Sequence, residues 1–160
     1  MLKTDTVEPP DLFLEDFAEG QEFPPVERGP MMVGHQVRWA GACDNYDSEF
    51  HHDEYVAKAQ GLPGIILSGP LMASYLLTVV AQWVGRNARI VQFSDRNTGY
   101  TMPRDLVRLR GRIKKKTEQE GTGRLDIDCW IENQRGEVTT PGSAVAIVPC
   151  RARAAARRPA

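Results

Sequence analysis

The chain has 160 residues, 41% of them hydrophobic and 26% charged, so it can bury a core without disulfides or bound metal. Its formal net charge of -1 excludes a strongly basic nucleic-acid-binding protein. The three cysteines, Cys43, Cys129 and Cys150, are widely spaced and form no Cys-x-x-Cys pair. We therefore expect neither a disulfide framework nor a structural zinc site, and we expect a reducing, cytoplasmic location.

The first ten residues are predicted to form a loose arm. The N-terminal segment is acidic and contains proline, and it lacks the basic and apolar stretches of a signal peptide. No apolar run reaches the roughly 20 residues that cross a bilayer. The sequence thus predicts a soluble protein with no signal peptide and no membrane partner.

The segment before the most apolar part of the chain is mostly irregular. Residues 11–33 are rich in proline and glycine and predict one short turn at 12–17. A strand is predicted at 35–42. A short helix is predicted over 54–60, where Gly61 stops it.

The main helix is predicted over 70–84. Ser68 or Gly69 can cap its start, Pro70 fits its first turn, and Gly85 can end it. Apolar residues cover almost every face of this helix. We therefore expect the rest of the protein to surround it.

Alternating patterns follow the helix. Four strands are predicted, at 89–93, 106–116, 124–132 and 137–148. In the third, apolar and polar positions alternate, which is typical of a half-buried antiparallel strand. The inward set is Leu125, Ile127, Cys129 and Ile131. One apolar helix followed by antiparallel strands predicts an α+β fold in residues 1–150, a single domain whose curled sheet wraps around a central helix. The basic tail, 151–160, is predicted to be disordered.

Ionisable side chains are concentrated shortly before the main helix. Six of them lie within ten residues: Asp44, Asp47, Glu49, His51, His52 and Asp53. Acid/base groups next to a helix N-terminus suit chemistry on a polarised carbonyl group. Some of the acidic residues can have a structural role instead of a catalytic one, because acidic residues before a helix commonly cap it. We expect Asp53 to be the N-cap of the short helix and Cys43 to be a small buried side chain.

The chain resembles the MaoC-like dehydratases and (R)-specific enoyl-CoA hydratases, which have the hotdog fold. The resemblance runs from about Phe13 to Val148, through FLEDFAEGQEFPP, HHDEYVAKAQGLPGIILSGPL and YTMPRDLVRLRGRI. The family signature is Asp-x-Asn-Pro-(Ile/Leu)-His-x-Asp, with an alanine four residues after the second Asp. Its second half matches from Phe50 to Asp53 and at Ala57, which identifies His51 as the catalytic histidine.

The first half of the signature departs from the family. Tyr46 stands where the family has its Asp, and Asp44 precedes His51 by seven residues. Three possibilities follow from the resemblance. A two-residue bulge lets Asp44 serve with His51, or the pairing slides to Asp47 and His52, or the site is degenerate.

The resemblance also implies a mechanism. Asp44 and His51 share the hydrating water, and the backbone N–H of Gly69 at the helix start meets the thioester oxygen. The substrate is an acyl-CoA or an acyl-carrier thioester, and coenzyme A enters only as part of that substrate, with no metal and no separate cofactor. The assembly is a homodimer or a larger oligomer, or a heteromer with a second hotdog subunit. Two other functions remain open, a hotdog acyl-CoA thioesterase and a non-catalytic or weakly active subunit of a heteromeric hydratase.

Basic residues occupy one face of the strand predicted at 106–116. They are Arg108, Arg110, Arg112 and Lys114, at alternate positions. We expect a solvated outer face of the sheet, and the alternative is a docking surface for the phosphates of coenzyme A. Nucleic acid is a poorer partner, because no aromatic platform interleaves the basic positions.

Overall fold

The computed structural model describes residues 9–44, 46–119 and 121–151. Most of the predicted N-terminal arm and nearly all of the predicted disordered tail lie outside these residues. Within the described part, no helix combines the length and the apolar character that crossing a lipid bilayer requires.

A five-stranded antiparallel sheet forms the frame of the molecule. Its strands are β1 (Val26–Arg28), β2 (Arg89–Asp95), β3 (Val107–Gln119), β4 (Thr122–Asn133) and β5 (Val138–Pro149), in the spatial order β1-β3-β4-β5-β2. The four strands predicted from alternation are confirmed, and most of them extend slightly further than predicted. The first strand was missed, because three residues are too few to show an alternating pattern.

Strand β4 shows why the sheet has one buried face. The predicted inward residues Leu125, Ile127, Cys129 and Ile131 are at most 1% exposed. The polar residues between them are only partly buried on the other face. This alternation is confirmed, and it turns the apolar side of the sheet toward the central helix.

The central helix α3 (Gly69–Val84) packs on that apolar face. Leu76, Val79 and Val80 are fully buried. Gly85 ends the helix with a positive φ of 83°, as predicted. The expectation that the whole helix is surrounded is wrong for one side. Leu77 is 37% exposed, on the side of α3 that borders β2, the last strand of the sheet.

The segment predicted as a strand at 35–42 is instead a helix, α1 (Val33–Cys43). Its buried residues are Gln36 and Ala40, which are four apart and so share one helical face. The period of burial is therefore helical, although the residue types suggested a strand. The prediction that Cys43 is buried is also wrong. Cys43 is exposed at the end of α1, beyond the turns that pack on the core.

A short helix, α2 (Glu54–Ala59), follows a 3-10 turn at Glu49–His51. The predicted capping role of Asp53 is confirmed, since its Oδ1 accepts a hydrogen bond of 3.1 Å from the N–H of Val56. Ala57 is fully buried and holds α2 against the protein. The turn predicted at 12–17 is a 3-10 turn at Leu14–Asp16.

The basic face of β3 is solvated and ion-paired, in agreement with the expected outer face. Each basic side chain has a carboxylate partner: Arg108 with Glu27, Arg110 with Glu22 and Glu132, and Arg112 and Lys114 with Asp128. These carboxylates neutralise the positive charge locally, which weakens the alternative of a phosphate-docking surface.

Candidate active site

A cleft of about 430 Å³ opens beside the start of α3. Three parts of the chain line it: His51 from the 3-10 turn, the stretch from Ile66 to Met72, and the segment from Asn97 to Thr101 that follows β2. The cleft therefore brings together His51 and Gly69, two of the three residues predicted for the site.

The ring of His51 has a defined orientation. Its Nδ1 lies 2.7 Å from the carbonyl oxygen of Ile66, and its backbone N–H donates to the carbonyl of Ser48 at 3.0 Å. Because a carbonyl oxygen can only accept, Nδ1 must carry the proton. The neutral ring then has its lone pair on Nε2, which can act as a base. His52 is not among the residues that line the cleft. Its ring and the Tyr46 ring are in a T-shaped arrangement, with their centroids 6.4 Å apart.

A hydrogen bond to a side chain of α1 fixes the start of α3. The N–H of Ser68 donates to Oε1 of Gln36 at 3.0 Å, and Gln36 is only 2% exposed. Ser68 occupies the N-cap position, but its side chain makes no capping hydrogen bond. The role of Gln36 was missed, because it depends on the helical structure of a segment that was predicted as a strand.

The backbone N–H of Gly69 is a free donor in the cleft. It belongs to the first residue of α3, so it has no acceptor inside the helix, and no acceptor contacts it in the described part of the chain. The next residue, Pro70, has no N–H. The helix dipole adds partial positive charge at this position, which favours an oxygen that carries negative charge.

A side chain from the segment after β2 covers Gly69. A Cβ placed on Gly69 would lie 2.3 Å from Nδ2 of Asn97. The carbonyl oxygen of the Asn97 side chain accepts a hydrogen bond of 3.2 Å from the hydroxyl of Thr140 on β5. Neither Asn97 nor Thr140 was singled out in the sequence, because Asn97 is brought to Gly69, and Thr140 to Asn97, only through the pairing of distant strands.

The predicted acid is not among the residues that line this cleft. Asp44 is the C-cap of α1, exposed, with a left-handed backbone at φ 50°. The alternative, Asp47, is also exposed. Neither residue lines the cleft, and no carboxylate does so among the residues that the structure describes.

Two groups of the sheet, Asp95 on β2 and Cys129 on β4, have shifted pKa values. Partial burial raises the pKa of the Asp95 carboxyl group, two residues before Asn97. Burial, with smaller effects of Asp128 and Asp95, raises the pKa of the Cys129 thiol to about 12. Cys129 is therefore a neutral core side chain at physiological pH. For residues 9–44, 46–119 and 121–151, no group of three or more His, Cys, Asp or Glu side chains is placed to hold a metal ion.

Neither a protein-family model nor a curated protein sequence matches this chain. Solved structures do. The unliganded (R)-hydratase PhaJ1 from Pseudomonas aeruginosa superposes with a TM-score of 0.77 at 15% identity, over 88% of each chain. A MaoC-like dehydratase from Rhodospirillum rubrum gives 0.76 at 23% identity, over 88% of this chain and 98% of that one. The ChsH1-ChsH2 complex from Mycobacterium tuberculosis gives 0.69 at 20% identity, over 82% and 98%.

These similarities establish the class of fold. The protein has the hotdog fold, an α+β architecture in which an antiparallel sheet packs on a central helix, as predicted. Its structural neighbours include MaoC-like dehydratases and (R)-hydratases, in agreement with the resemblance found in the sequence. At 15 to 23% identity, what the chain shares with them is the fold.

Proposed function

We propose that this protein is a hydratase that adds water reversibly across the double bond of an α,β-unsaturated acyl thioester. The observation that carries the proposal is the meeting of two groups in one cleft. His51 has a free Nε2 there, and Gly69 has a free backbone N–H at the start of α3. The structural neighbours named as hydratases and dehydratases support the same reaction type.

The two groups suit two parts of this reaction. Nε2 of His51 takes a proton from water as the water oxygen bonds to the β-carbon. The thioester oxygen gains negative charge in the enolate-like intermediate, and the N–H of Gly69 stabilises that charge at the positive end of the helix dipole. The α-carbon then receives a proton from the second acid/base group, which regains one from the protonated His51, and the thioester carbonyl is restored.

We propose Asp44 as the second acid/base group, with Asp47 as the alternative, because the resemblance to the family implies an acid before the histidine. A second function is favoured by the lining of the cleft, which contains no carboxylate among the described residues. In that case the protein is a weakly active or non-catalytic subunit, and another hotdog subunit completes the site. The neighbour ChsH1-ChsH2 is named as a complex, which agrees with an assembly of this kind.

We propose that the substrate is an acyl-CoA or acyl-carrier thioester and that two copies associate through β2. This strand lies at an edge of the sheet. Val91 on β2 is 47% exposed, and an apolar groove of about 680 Å³ runs between β2 and the exposed side of α3. Sedimentation velocity measures this association. A monomer at micromolar concentration would contradict it.

The hydratase proposal is tested with a panel of 2-enoyl-CoA substrates, from short to long and steroid-like, by following the loss of conjugated-thioester absorbance. His51→Ala is expected to lower the rate by about 10²–10⁴ in a protein that stays folded. His52→Ala is the matched control, because it removes a neighbouring imidazole that does not line the cleft. A larger loss in His52→Ala than in His51→Ala would overturn the assignment. Binding without turnover in the wild type would favour the non-catalytic subunit.

A further inference from the structure

We propose that the side-chain amide of Asn97 is a second hydrogen-bond donor to the thioester oxygen, next to the N–H of Gly69, and that Thr140 is the residue that positions it. This inference rests on the proposed function and extends it to residues outside the helix start. It is carried by the orientation of the Asn97 side chain, by its distance from Gly69 and by the way its backbone is held.

The orientation of the amide follows from its hydrogen bond to Thr140. The Thr140 hydroxyl donates to Oδ1 of Asn97 at 3.2 Å, and Thr140 is 1% exposed. With Oδ1 held by a buried hydroxyl, the NH₂ group lies on the opposite side of the carboxamide. That side faces Gly69, since Nδ2 is the Asn97 atom nearest to the position of a Gly69 Cβ.

The distance allows one oxygen atom to accept from both donors. Nδ2 lies 2.3 Å from the position that a Cβ on Gly69 would occupy, and standard bond lengths then place it within about 5 Å of the Gly69 amide nitrogen. Donors that stabilise an oxyanion lie about 2.7–3.1 Å from it. Two nitrogens within 5 Å of each other can therefore both reach a single oxygen.

The backbone around Asn97 is fixed, although the side chain is open to the cleft. The N–H of Arg96 donates to the carbonyl of Pro141, and the N–H groups of Thr98 and Gly99 donate to the carbonyl of Thr139, at 2.9–3.1 Å. Strand β5 thus holds both sides of Asn97 and also supplies Thr140. A donor held in place before the substrate arrives does not have to reorganise during the reaction.

The test compares Asn97→Ala and Asn97→Asp with Asn87→Ala. Asn87 is an exposed asparagine just beyond the other end of α3, so its variant is a control for the loss of the carboxamide. Asn97→Ala is expected to lower kcat by about 10²–10³, the effect of removing one oxyanion donor. Asn97→Asp is expected to be at least as slow, because a carboxylate opposes the developing negative charge.

A second readout does not require turnover. Hexanoyl-CoA labelled with ¹³C at the thioester carbonyl is bound to each folded protein, and the carbonyl stretch is measured by infrared difference spectroscopy. The band is expected at a lower frequency in the wild type and in Asn87→Ala than in Asn97→Ala, which has lost one hydrogen bond. Thr140→Val, which removes the hydroxyl that orients the amide, is expected to move the band in the same direction. The Thr140→Val variant also tests the proposal if Asn97→Ala does not fold.

The outcomes separate this inference from the proposed function. If the wild type hydrates an enoyl-CoA while Asn97→Ala has normal kcat and an unshifted band, Asn97 is not a donor and the hydratase proposal stands. If no enoyl-CoA is hydrated but the carbonyl band depends on Asn97, the donor assignment stands and the hydratase proposal fails. If hexanoyl-CoA does not bind to the wild type and no enoyl-CoA of the panel is hydrated, both are overturned.

Discussion

Replacing Gly69 with alanine is expected to remove activity while leaving the protein about as stable as before. The added Cβ would lie 2.3 Å from Nδ2 of Asn97, whereas ordinary contacts begin near 3.4 Å, so the Asn97 side chain must move by roughly 1 Å. The move disrupts the hydrogen bond to Thr140, worth about 1 kcal/mol. Alanine in place of glycine restricts the unfolded chain, which returns about 0.4–1 kcal/mol. The two effects oppose each other, so the free energy of unfolding is expected to change by no more than about 1 kcal/mol.

No opposing effect offsets the expected loss of hydration rate in Gly69→Ala. The methyl group occupies the space between the Gly69 N–H and the Asn97 amide, where the thioester oxygen is proposed to bind. We expect the hydration rate to fall by at least about 10²-fold, and the larger side chain of Gly69→Val to weaken acyl-CoA binding as well. Urea denaturation checks the fold, and the absorbance assay with a titration of acyl-CoA checks the site. Near-normal rate and affinity in both folded variants would show that the chemistry occurs elsewhere.

Three further predictions concern groups around the site and in the core. Asp44→Asn is expected to lower turnover by about 10²-fold or more with little change in acyl-CoA affinity, while Asp47→Asn is expected to lower turnover only slightly. Steady-state kinetics measures both variants, and a larger loss in Asp47→Asn would assign the role to Asp47. Gln36→Ala leaves the buried N–H of Ser68 without its acceptor and is expected to cost about 1–3 kcal/mol of unfolding free energy, measured with urea; an unchanged midpoint would contradict this. The Cys129 thiol has its pKa raised from 9.0 to about 12, so above pH 9 the unfolded chain loses a proton that the folded protein keeps. The free energy of unfolding is therefore expected to fall between pH 9 and pH 12, less so in Cys129→Ala, and an equal fall in both proteins would refute this origin.

Local features of the sequence were sufficient to predict several elements of the fold. The extent of α3 followed from Pro70 in its first turn and Gly85 at its end, and the N-cap role of Asp53 followed from its place before α2. The inward face of β4 followed from strict alternation over four apolar positions. In each case the deciding interactions join residues a few positions apart, so the pattern is visible in the sequence.

The identity of α1 depended on contacts that no local pattern contains. Residues 35–42 have the composition of a strand, and they are helical because Gln36 and Ala40 pack against the rest of the protein and Gln36 binds the start of α3. Tertiary packing outweighed local propensity there. The same contacts left Cys43 outside the core.

Some features of the site follow from the local sequence, and others form only in the folded protein. His51 and Gly69 were found in the sequence, because a cluster of ionisable residues and a glycine at a helix start are local features. The acceptor for the His51 ring, the carbonyl of Ile66, is 15 residues away. Asn97 reaches Gly69 from the segment after β2, and Thr140 on β5 holds the Asn97 side chain. The geometry around the predicted residues was set by the pairing of β2 with β5 and by their packing on α3, because hydrogen bonds between distant segments form only once the chain has folded.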